Sequence, residues 1–304
     1  MAVQTRAIKR RIKSVTSTRK ITKAMELVAA SKMRKAVSAV LGTRPYATLA
    51  WDTVLEVSKV TQSELHPLLH AHGYSDRLLL VLLSSDRGLA GGFNVNMIRK
   101  TIEQIKSWEG KEVDVICIGR RGAHAMKKAG KNIIASFTDI TNAPAYKDTL
   151  PIGRLIVNEF VKGTYGKVFV AYTDFVSAIS QVPTVFQLLP LGELRESKTL
   201  GHVSQESSQE TMMHAHEYAF EPSPAEVLDV LLPKLIETML YQAVLESAAS
   251  EHSARMMAMR SASDAASEMI HDLTFTYNQA RQAGITQEIA EISSGKAALE
   301  QANV

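Results

Sequence analysis

Apolar residues in the last quarter of the chain recur at intervals of three and four positions and predict one very long helix. The pattern begins at Ser223 and contains no proline after Pro233. Ser223, Pro224 and Glu226 fit an S-x-x-E capping box with proline in the first turn, which marks the start of the helix. At 1.5 Å per residue, roughly 70 helical residues extend over about 100 Å, which is more than a globular core covers.

A single heptad frame continues along this helix, as in a coiled coil. Its apolar positions are Leu228, Leu231, Leu235, Leu245, Ala249, Met256, Met259, Ala266, Ile270, Leu273, Tyr277 and Ala280. Four further positions of the frame are polar, namely Thr238, Gln242, His252 and Ser263. The middle of the helix is also rich in alanine and serine, which bury little apolar area. We therefore expect this helix to need a partner helix and an enclosing protein.

The first 60 residues predict a second helix, which could supply the other half of that seam. Its apolar stripe comprises Ile8, Ile12, Val15, Ile21, Met25, Val28, Met33, Val37 and Val40. The alternative is an ordinary coiled-coil dimer of two chains.

Positive charge is concentrated in this N-terminal helix. Eleven lysines and arginines precede residue 36 and face one acid, Glu26, although the whole chain has a net charge of only +4. Three interpretations compete, namely a mitochondrial targeting peptide over residues 1–23, a nucleic-acid-binding surface, and a helix surface that meets an acidic protein partner. The basic pattern continues past residue 23 and lacks interleaved aromatic residues, which favours the protein partner.

Composition limits the remaining classes. The chain is 45% hydrophobic and 22% charged and has no run of eighteen apolar residues, which predicts a soluble intracellular protein without a signal peptide. Its one cysteine, Cys117, lies in an apolar run and is expected to be a buried, inert thiol.

Residues 76–195 predict a Rossmann-like α/β domain between the helices, with a linker over 61–75, a flexible loop over 196–222 and coiled-coil helices over 1–60 and 223–304. Strands are predicted at 77–85, 113–118, 132–137, 168–173 and 178–189. Helices are predicted at 95–108, 121–128 and 150–161. Alternating strands and helices indicate a mostly parallel sheet, and the last two strands can form a hairpin.

Two segments suggest chemistry only weakly. The loop over residues 84–94 contains three glycines but not G-x-G-x-x-G, so we expect these glycines to serve turns and close packing rather than a dinucleotide. His66, His70 and His72 are expected to lie in an exposed linker, because no cysteine or carboxylate cluster accompanies them. No cofactor, metal or catalytic nucleophile is predicted.

Four sequence blocks, in this order, resemble the gamma subunit family of the F-type ATP synthase. They are I-T-K-A-M-E-L-V-A-A-S-K-M over residues 21–33, D-R-G-L-A-G-G-F-N over 86–94, S-E-H-S-A-R-M-M-A-M over 250–259, and Y-N-Q-A-R-Q-A-G-I-T-Q-E-I over 277–289. The resemblance covers essentially the whole chain. It implies a rotor shaft in which the terminal helices form an antiparallel coiled coil and the α/β domain is inserted between them.

The resemblance also implies partners. These are the ring of alpha and beta subunits, the epsilon subunit and the ring of c subunits, with no nucleic acid and with membrane contact only through the c ring. It implies a non-catalytic, peripheral subunit on the cytoplasmic face of a bacterial cell membrane. The chain lacks the regulatory cysteine pair of the chloroplast members, and alignment of its first residues with the mature helix makes a targeting peptide unexpected.

Particular residues match the family's contact positions. Lys23 and Met25 match the segment that meets an acidic loop of beta. Contacts with beta near the top of the ring are implied for Arg255, Arg281, Gln282, Thr286 and Glu288. Contacts with the c ring and epsilon are implied for Tyr218 and Glu221. The alternative for each is an ordinary helix-surface residue, and Arg255 could instead pair with Glu251 of its own helix.

Two other functions remain possible from the sequence. One is a free-standing coiled-coil adaptor that carries an α/β module, which a stable homodimer in solution would support. The other is a nicotinamide-dependent enzyme, which a measurable dinucleotide affinity would support.

Overall fold

The computed structural model of the chain describes residues 2–60, 66–70, 75–191 and 223–302. The chain divides into two compact units. One unit combines its two ends, Met1–Val28 and Met256–Val304, and the other comprises Ala29–Arg255. The division therefore falls within both terminal helices.

The two terminal helices are continuous, as predicted. Helix α1 spans Ala2–Val60 and helix α5 spans Pro224–Ala302. At the start of α5, the Ser223 hydroxyl accepts a hydrogen bond from the Glu226 N–H at 3.3 Å and donates one to the Glu226 carboxylate at 3.1 Å. The predicted cap is thus confirmed, because a first-turn N–H that has no partner within the helix is satisfied by a side chain.

The heptad frame predicted for α5 agrees with the burial along the helix. Every predicted seam position from Leu228 to Ala280 is buried or half-buried, including the four polar ones. Gln242 and His252, for example, are only 1% and 3% exposed. Sequence periodicity therefore identified the inward face of α5 correctly, although several residues on that face are hydrophilic.

The stripe predicted for α1 is wrong at two positions. Ile21 and Val28 are 60% and 58% exposed. The frame that begins at Ile8 and Ile12 continues instead through a half-buried or buried set, namely Arg19, Thr22, Glu26, Ala29, Met33, Ala36 and Val40. A constant heptad spacing, rather than the largest apolar side chain nearby, decides which residues face inward.

Within the second unit, α1 and α5 pack in opposite directions. Ala36 and Val40 of α1 form one apolar cluster with Leu245 and Ala249 of α5. Further along α1, the Thr43 hydroxyl bonds to the side chain of Gln242, which precedes that cluster in α5. Small residues at this contact allow the helices to approach closely.

Five strands form a single sheet in the order β3-β2-β1-β4-β5. The strands are β1 (Leu78–Leu83), β2 (Val113–Ile118), β3 (Asn132–Phe137), β4 (Lys167–Phe175) and β5 (Gln181–Leu189). The first four are parallel, and β5 runs antiparallel to β4. The predicted mixed α/β fold, its mostly parallel sheet and its terminal hairpin are confirmed.

Three shorter helices connect the strands, namely α2 (Phe93–Ser107), α3 (Arg120–Lys128) and α4 (Tyr146–Val161). Helix α4 begins earlier than predicted and contains Pro151. Pro151 is the sixth residue of α4 and has no N–H to donate to the carbonyl of Lys147, so this turn lacks one backbone hydrogen bond. Here the Thr149 hydroxyl donates to the Tyr146 carbonyl at 2.8 Å.

Both faces of the sheet are covered. Residues Leu79, Val81 and Leu83 of β1 pack in a core that includes α4 and the first half of α5. Alternate residues of the same strand pack against α2 and α3 in a second core. The first half of α5 is therefore a layer of the α/β domain. Leu68 and Leu69, inside the predicted linker, are buried in the same core as α5.

The alanine- and serine-rich middle of α5 is enclosed by its own chain. Every residue from Gln242 to Ser253 is buried. Helix α1 and strand β4 cover this stretch. An enclosing protein for the helix as a whole stays a prediction.

Candidate functional site

The loop between β1 and α2 lies at the carboxyl edge of the parallel strands and is closed by its own side chains. The Ser85 N–H donates to Asn94 Oδ1 at 3.0 Å, and Asn94 Nδ2 donates to Ser85 Oγ at 2.7 Å. Ser85 Oγ in turn donates to the Arg87 carbonyl at 2.6 Å. Leu89 and Gly91 both have positive φ angles, of 64° and 54°, which turn the chain sharply into α2.

Side chains of this loop also hold the start of the helix that follows β2. At the start of α3, Ser84 Oγ accepts from the Gly122 N–H at 2.8 Å and Asp86 Oδ1 accepts from the Arg120 N–H at 3.1 Å. Gly119 has a φ of 99°, and a Cβ there would lie 2.1 Å from the Ser84 carbonyl oxygen. The loop therefore packs closely against the start of α3, and Gly119 permits that close approach.

Arg255 connects α5 to this loop. Its guanidinium donates to Glu251 Oε1 at 2.8 Å and to the carbonyl oxygens of Arg87 and Gly88 at 3.5 and 3.4 Å. The side chain is only 12% exposed. The intrachain pair considered for Arg255 is therefore present, and its contact with a partner stays a prediction.

Two titratable groups beside Arg255 are strongly affected by burial. Burial raises the pKa of Glu251, and the nearby Arg255 opposes that change. Burial first, and then the positive charges of Arg255 and Lys32, lower the pKa of His252 to about 4. His252 is therefore neutral near pH 7, and protonating it would place a third positive charge in a buried cluster.

Lys23 and Met25 lie on the first unit's part of α1. The Lys23 ammonium is 3.0 Å from the Glu26 carboxylate, and the Lys23 side chain is 57% exposed. Met25 is half-buried. Ile21 and Leu27, about 60% exposed, lie beside them. This segment therefore presents both positive charge and apolar surface to solvent.

The basic side chains of α1 are accessible. All eleven that precede residue 36 are exposed or half-buried. Four of them, with one isoleucine, line a groove along the first turns of the helix, namely Arg6, Lys9, Arg10, Ile12 and Lys13. Such a surface suits an acidic partner.

The other predicted contact residues of the first unit lie near the end of α5. Arg281, Gln282, Thr286 and Glu288 are all exposed. An apolar row accompanies them, because Ile285, Ile289 and Ile292 are 49%, 62% and 73% exposed. Their spacing of four and three places them on one side of the helix, and we call them the isoleucine ridge.

Some predictions cannot be located or take a different form. Tyr218, Glu221 and His72 lie outside the described residues, as does the predicted loop over 196–222. The expectation of an exposed linker is wrong for His66, whose Nε2 lies 3.0 Å from Asp229 Oδ1 and whose side chain is 14% exposed.

Among the residues that the structure describes, no group of three or more His, Cys, Asp or Glu side chains is placed to hold a metal ion. No helix in the described ranges is long and apolar enough to cross a membrane.

Comparison with known proteins decides the family. A family model described as ATP synthase matches residues 4–299. The ATP synthase gamma chain of Legionella pneumophila (strain Corby) is 38% identical over 294 residues, which cover 96% of this chain and 98% of that protein. The chain belongs to the ATP synthase gamma family. The gamma chain of Herpetosiphon aurantiacus is 42% identical over 308 residues, covering 97% of this chain and 99% of the relative.

Solved structures share the fold of this chain. One similar chain comes from the structure of the central stalk and c ring of the Tetrahymena thermophila mitochondrial ATP synthase. Its TM-score is 0.58 and its identity is 24%, and the alignment covers 80% of this chain and 99% of the Tetrahymena chain. A chain from the OSCP, F1 and c-ring structure of the Euglena gracilis mitochondrial ATP synthase has a TM-score of 0.66 and 17% identity. The alignment covers 98% of this chain and 95% of the Euglena chain. At these identities the likeness concerns the fold.

Sequence reasoning missed two features of this gamma-family chain. One is the isoleucine ridge, which could have been found by searching the end of α5 for apolar residues outside the heptad frame. The other is a buried ion pair between Arg44 and Glu246, 2.9 Å apart, in which the glutamate side chain is fully buried. Nothing in the local sequence signals this pair, because the two residues meet only through the packing of α1 on α5.

Proposed function

We propose that this chain is the rotating central shaft of the F1 sector of a proton-translocating ATP synthase, and that it is a non-catalytic subunit of that enzyme. One observation carries the proposal, namely that the gamma-chain likeness extends over 96–97% of the chain at 38–42% identity. The antiparallel packing of α1 on α5 supports it, because two paired helices give a shaft greater stiffness than one.

The proposed partner of the basic helix is an acidic loop at the foot of each beta subunit. Lys23 and Met25 are the contact residues. The ion pair between Lys23 and Glu26 is solvent-exposed and therefore weak, at most about 1 kcal/mol. A carboxylate of the beta subunit can therefore compete with Glu26 for the Lys23 ammonium. Weak, screened contacts suit a rotor that must release one beta subunit and meet the next.

The end of α5 is proposed to lie inside the ring of three alpha and three beta subunits. The isoleucine ridge supports this placement, because a row of exposed isoleucines gains free energy when a surrounding apolar surface covers it. Arg281, Gln282, Thr286 and Glu288 are the proposed polar contacts there. Arg255, which is held by Glu251 and the loop over 84–94, contributes to beta contacts through a small exposed fraction.

Rotation of an asymmetric shaft explains coupling. Three beta sites of identical sequence face different sides of the shaft at any moment, so each is biased toward a different conformation. Turning the shaft then takes every site in order through binding, synthesis and release. The free energy transferred is the difference between the contacts that the shaft makes with each conformation.

The opposite end is proposed to meet the c ring and the epsilon subunit. Tyr218 and Glu221 are the contact residues, and the chain reaches the membrane only through the c ring. In a bacterium this places it on the cytoplasmic face of the cell membrane as a peripheral subunit.

The test is reconstitution with alpha and beta subunits of the same organism. We expect a particle with three alpha, three beta and one copy of this chain, and steady ATP hydrolysis that depends on this chain. Substitutions at Met25 and Gln282 should then alter ATPase coupling without preventing assembly. A chain that forms a stable homodimer and no such particle would contradict the proposal and favour a coiled-coil adaptor.

A further inference from the structure

Strand β4 continues beyond the end of its neighbour β1. Pairing between the two strands ends at Leu82 and Ala171, whereas β4 extends to Phe175. Thr173 lies two residues beyond the last of these pairs, so β1 offers no partner for its backbone N–H and C=O, and both groups need partners from another element.

Helix α5 supplies those partners from one face. The Thr173 N–H donates to Ser247 Oγ at 3.1 Å, and Ser250 Oγ donates to the Thr173 carbonyl at 3.2 Å. One turn later, Ser253 Oγ donates to the Ala178 carbonyl at 2.6 Å. Residues three apart share a helix face, so the three serines form a continuous row along the strand and the following turn.

The ion pair lies beside this row and brings in the second helix. Arg44 Nη2 of α1 lies 2.9 Å from Glu246 Oε1. The other carboxylate oxygen of Glu246 accepts from the Phe175 N–H of β4 at 3.3 Å. Gln242 donates to Glu246 Oε1 at 3.0 Å. Three elements, α1, α5 and β4, thus meet at one buried carboxylate.

We propose that this contact transmits torque between the α/β domain and the paired helices. It comprises Glu246, Ser247, Ser250 and Ser253 with Arg44 and strand β4, and we call it the polar joint. The inference rests on the proposed function, in which the chain turns with the c ring, and adds that torque enters through the α/β domain and leaves along the helices. Apolar packing is non-directional, whereas hydrogen bonds resist a change of direction, so the polar joint fixes the helix against rotation or sliding on the sheet.

The test uses the complete ATP synthase reconstituted in vesicles, with the double variant Ser247→Ala and Ser250→Ala. We expect the variant to hydrolyse ATP at the normal rate when a protonophore removes the load. The proton gradient that it sustains during hydrolysis should fall by about two-fold or more, because two directional contacts at Thr173 are lost. Hydrogen exchange of the Thr173 amide should become on the order of ten-fold faster. Ser261→Ala, an exposed serine of α5, is the matched control and should change neither quantity.

The outcomes separate the two proposals. If the unaltered chain supports neither hydrolysis nor pumping, the proposed function fails. If the unaltered chain pumps and the double variant sustains the same gradient, the polar joint is not needed for torque. Parallel loss of unloaded hydrolysis and of the gradient would mean a merely structural role and would also overturn the inference. Should the double variant not assemble, the single variant Ser253→Ala decides by the same two measurements.

Discussion

Two stretches of helix α5 differ completely in their surroundings. From Gln242 to Ser253 every residue is buried, and the side chains include a glutamine, two glutamates, a histidine and three serines. Over residues 281–296 every residue except the half-buried Gly284 is exposed, although three of them are isoleucines. The usual relation between polarity and burial is thus reversed within one helix.

The difference shows that each stretch is matched to a different partner. The buried stretch has directional partners in its own chain for Gln242, Glu246 and its three serines. The exposed stretch lacks a covering surface in its own unit, and its ridge suits a partner from outside. Four predictions test this contrast, beginning with the largest expected effect.

Glu246→Ala should lower the free energy of unfolding of the isolated chain by about 4 kcal/mol. Removing the carboxylate abolishes the 2.9 Å ion pair with Arg44 and the hydrogen bond that Glu246 accepts from the Phe175 N–H. Urea denaturation measures the change. Glu288→Ala in the exposed stretch is the control and should change stability by less than about 0.5 kcal/mol. Equal effects of both variants would contradict the contrast.

His252 should make the buried stretch sensitive to acid. Its folded pKa of about 4 lies below the ordinary value of 6.5, so the unfolded chain binds more protons between these values and stability is lost as the pH falls through them. The loss by pH 4 should be on the order of 3 kcal/mol.

The measurement compares the pH dependence of urea denaturation for the unaltered chain and His252→Gln. Taking the difference isolates the histidine, because Glu246 and Glu251 have raised pKa values and act in the opposite direction in both proteins. A profile that is the same with and without His252 would show that its burial has no energetic effect.

Ile289→Ser should leave the isolated chain stable but weaken its association with the ring of alpha and beta subunits. Losing one buried isoleucine surface corresponds to about 1.5 kcal/mol, or roughly ten-fold in the dissociation constant. Fluorescence titration of labelled chain with the ring measures this. Val95→Ser, an equally exposed apolar residue of α2, is the control. A melting temperature lowered by Ile289→Ser would indicate that the ridge already packs within the chain.

Gly284→Ala should stabilise the exposed stretch by about 1 kcal/mol, because alanine favours the helix and nothing lies within 4 Å of the added Cβ. Gly153→Ala in α4 should destabilise instead, since its Cβ would lie 2.9 Å from the Glu237 side chain of α5. Slower hydrogen exchange at the end of α5 would detect the effect of Gly284→Ala. Urea denaturation would detect the effect of Gly153→Ala. A gain in stability from both variants would contradict the packing described for α4.

The sequence allowed the elements and the family to be predicted, because they depend on local patterns. Buried strands such as β2 and the long heptad frame of α5 are visible in the order of residues alone. In α1 the sequence favours Ile21 for the inward face because Ile21 is more apolar than Thr22. The structure instead places Thr22 at the heptad position and leaves Ile21 exposed. Choosing between them requires the partner helix, which periodicity in one segment does not supply.

The buried contacts could not be predicted for a different reason. Ser247 bonds to Thr173 only because β4 continues past β1, and strand lengths of this kind emerge from the whole sheet. Likewise, Arg255 was recognised by its position in a motif, but its bonds to the carbonyls of Arg87 and Gly88 depend on a distant loop. Side-chain roles that join segments far apart in sequence thus needed the structure.

The free side of β4 also bears on how the chain avoids self-association. A strand with open N–H and C=O groups can accept a strand from another molecule and begin edge-to-edge aggregation. Ser247 and Ser250 occupy these groups of Thr173 with side chains from a helix, which cannot extend a sheet further. A newly made chain is therefore protected at this edge once α5 has packed on β4, before any other subunit is present.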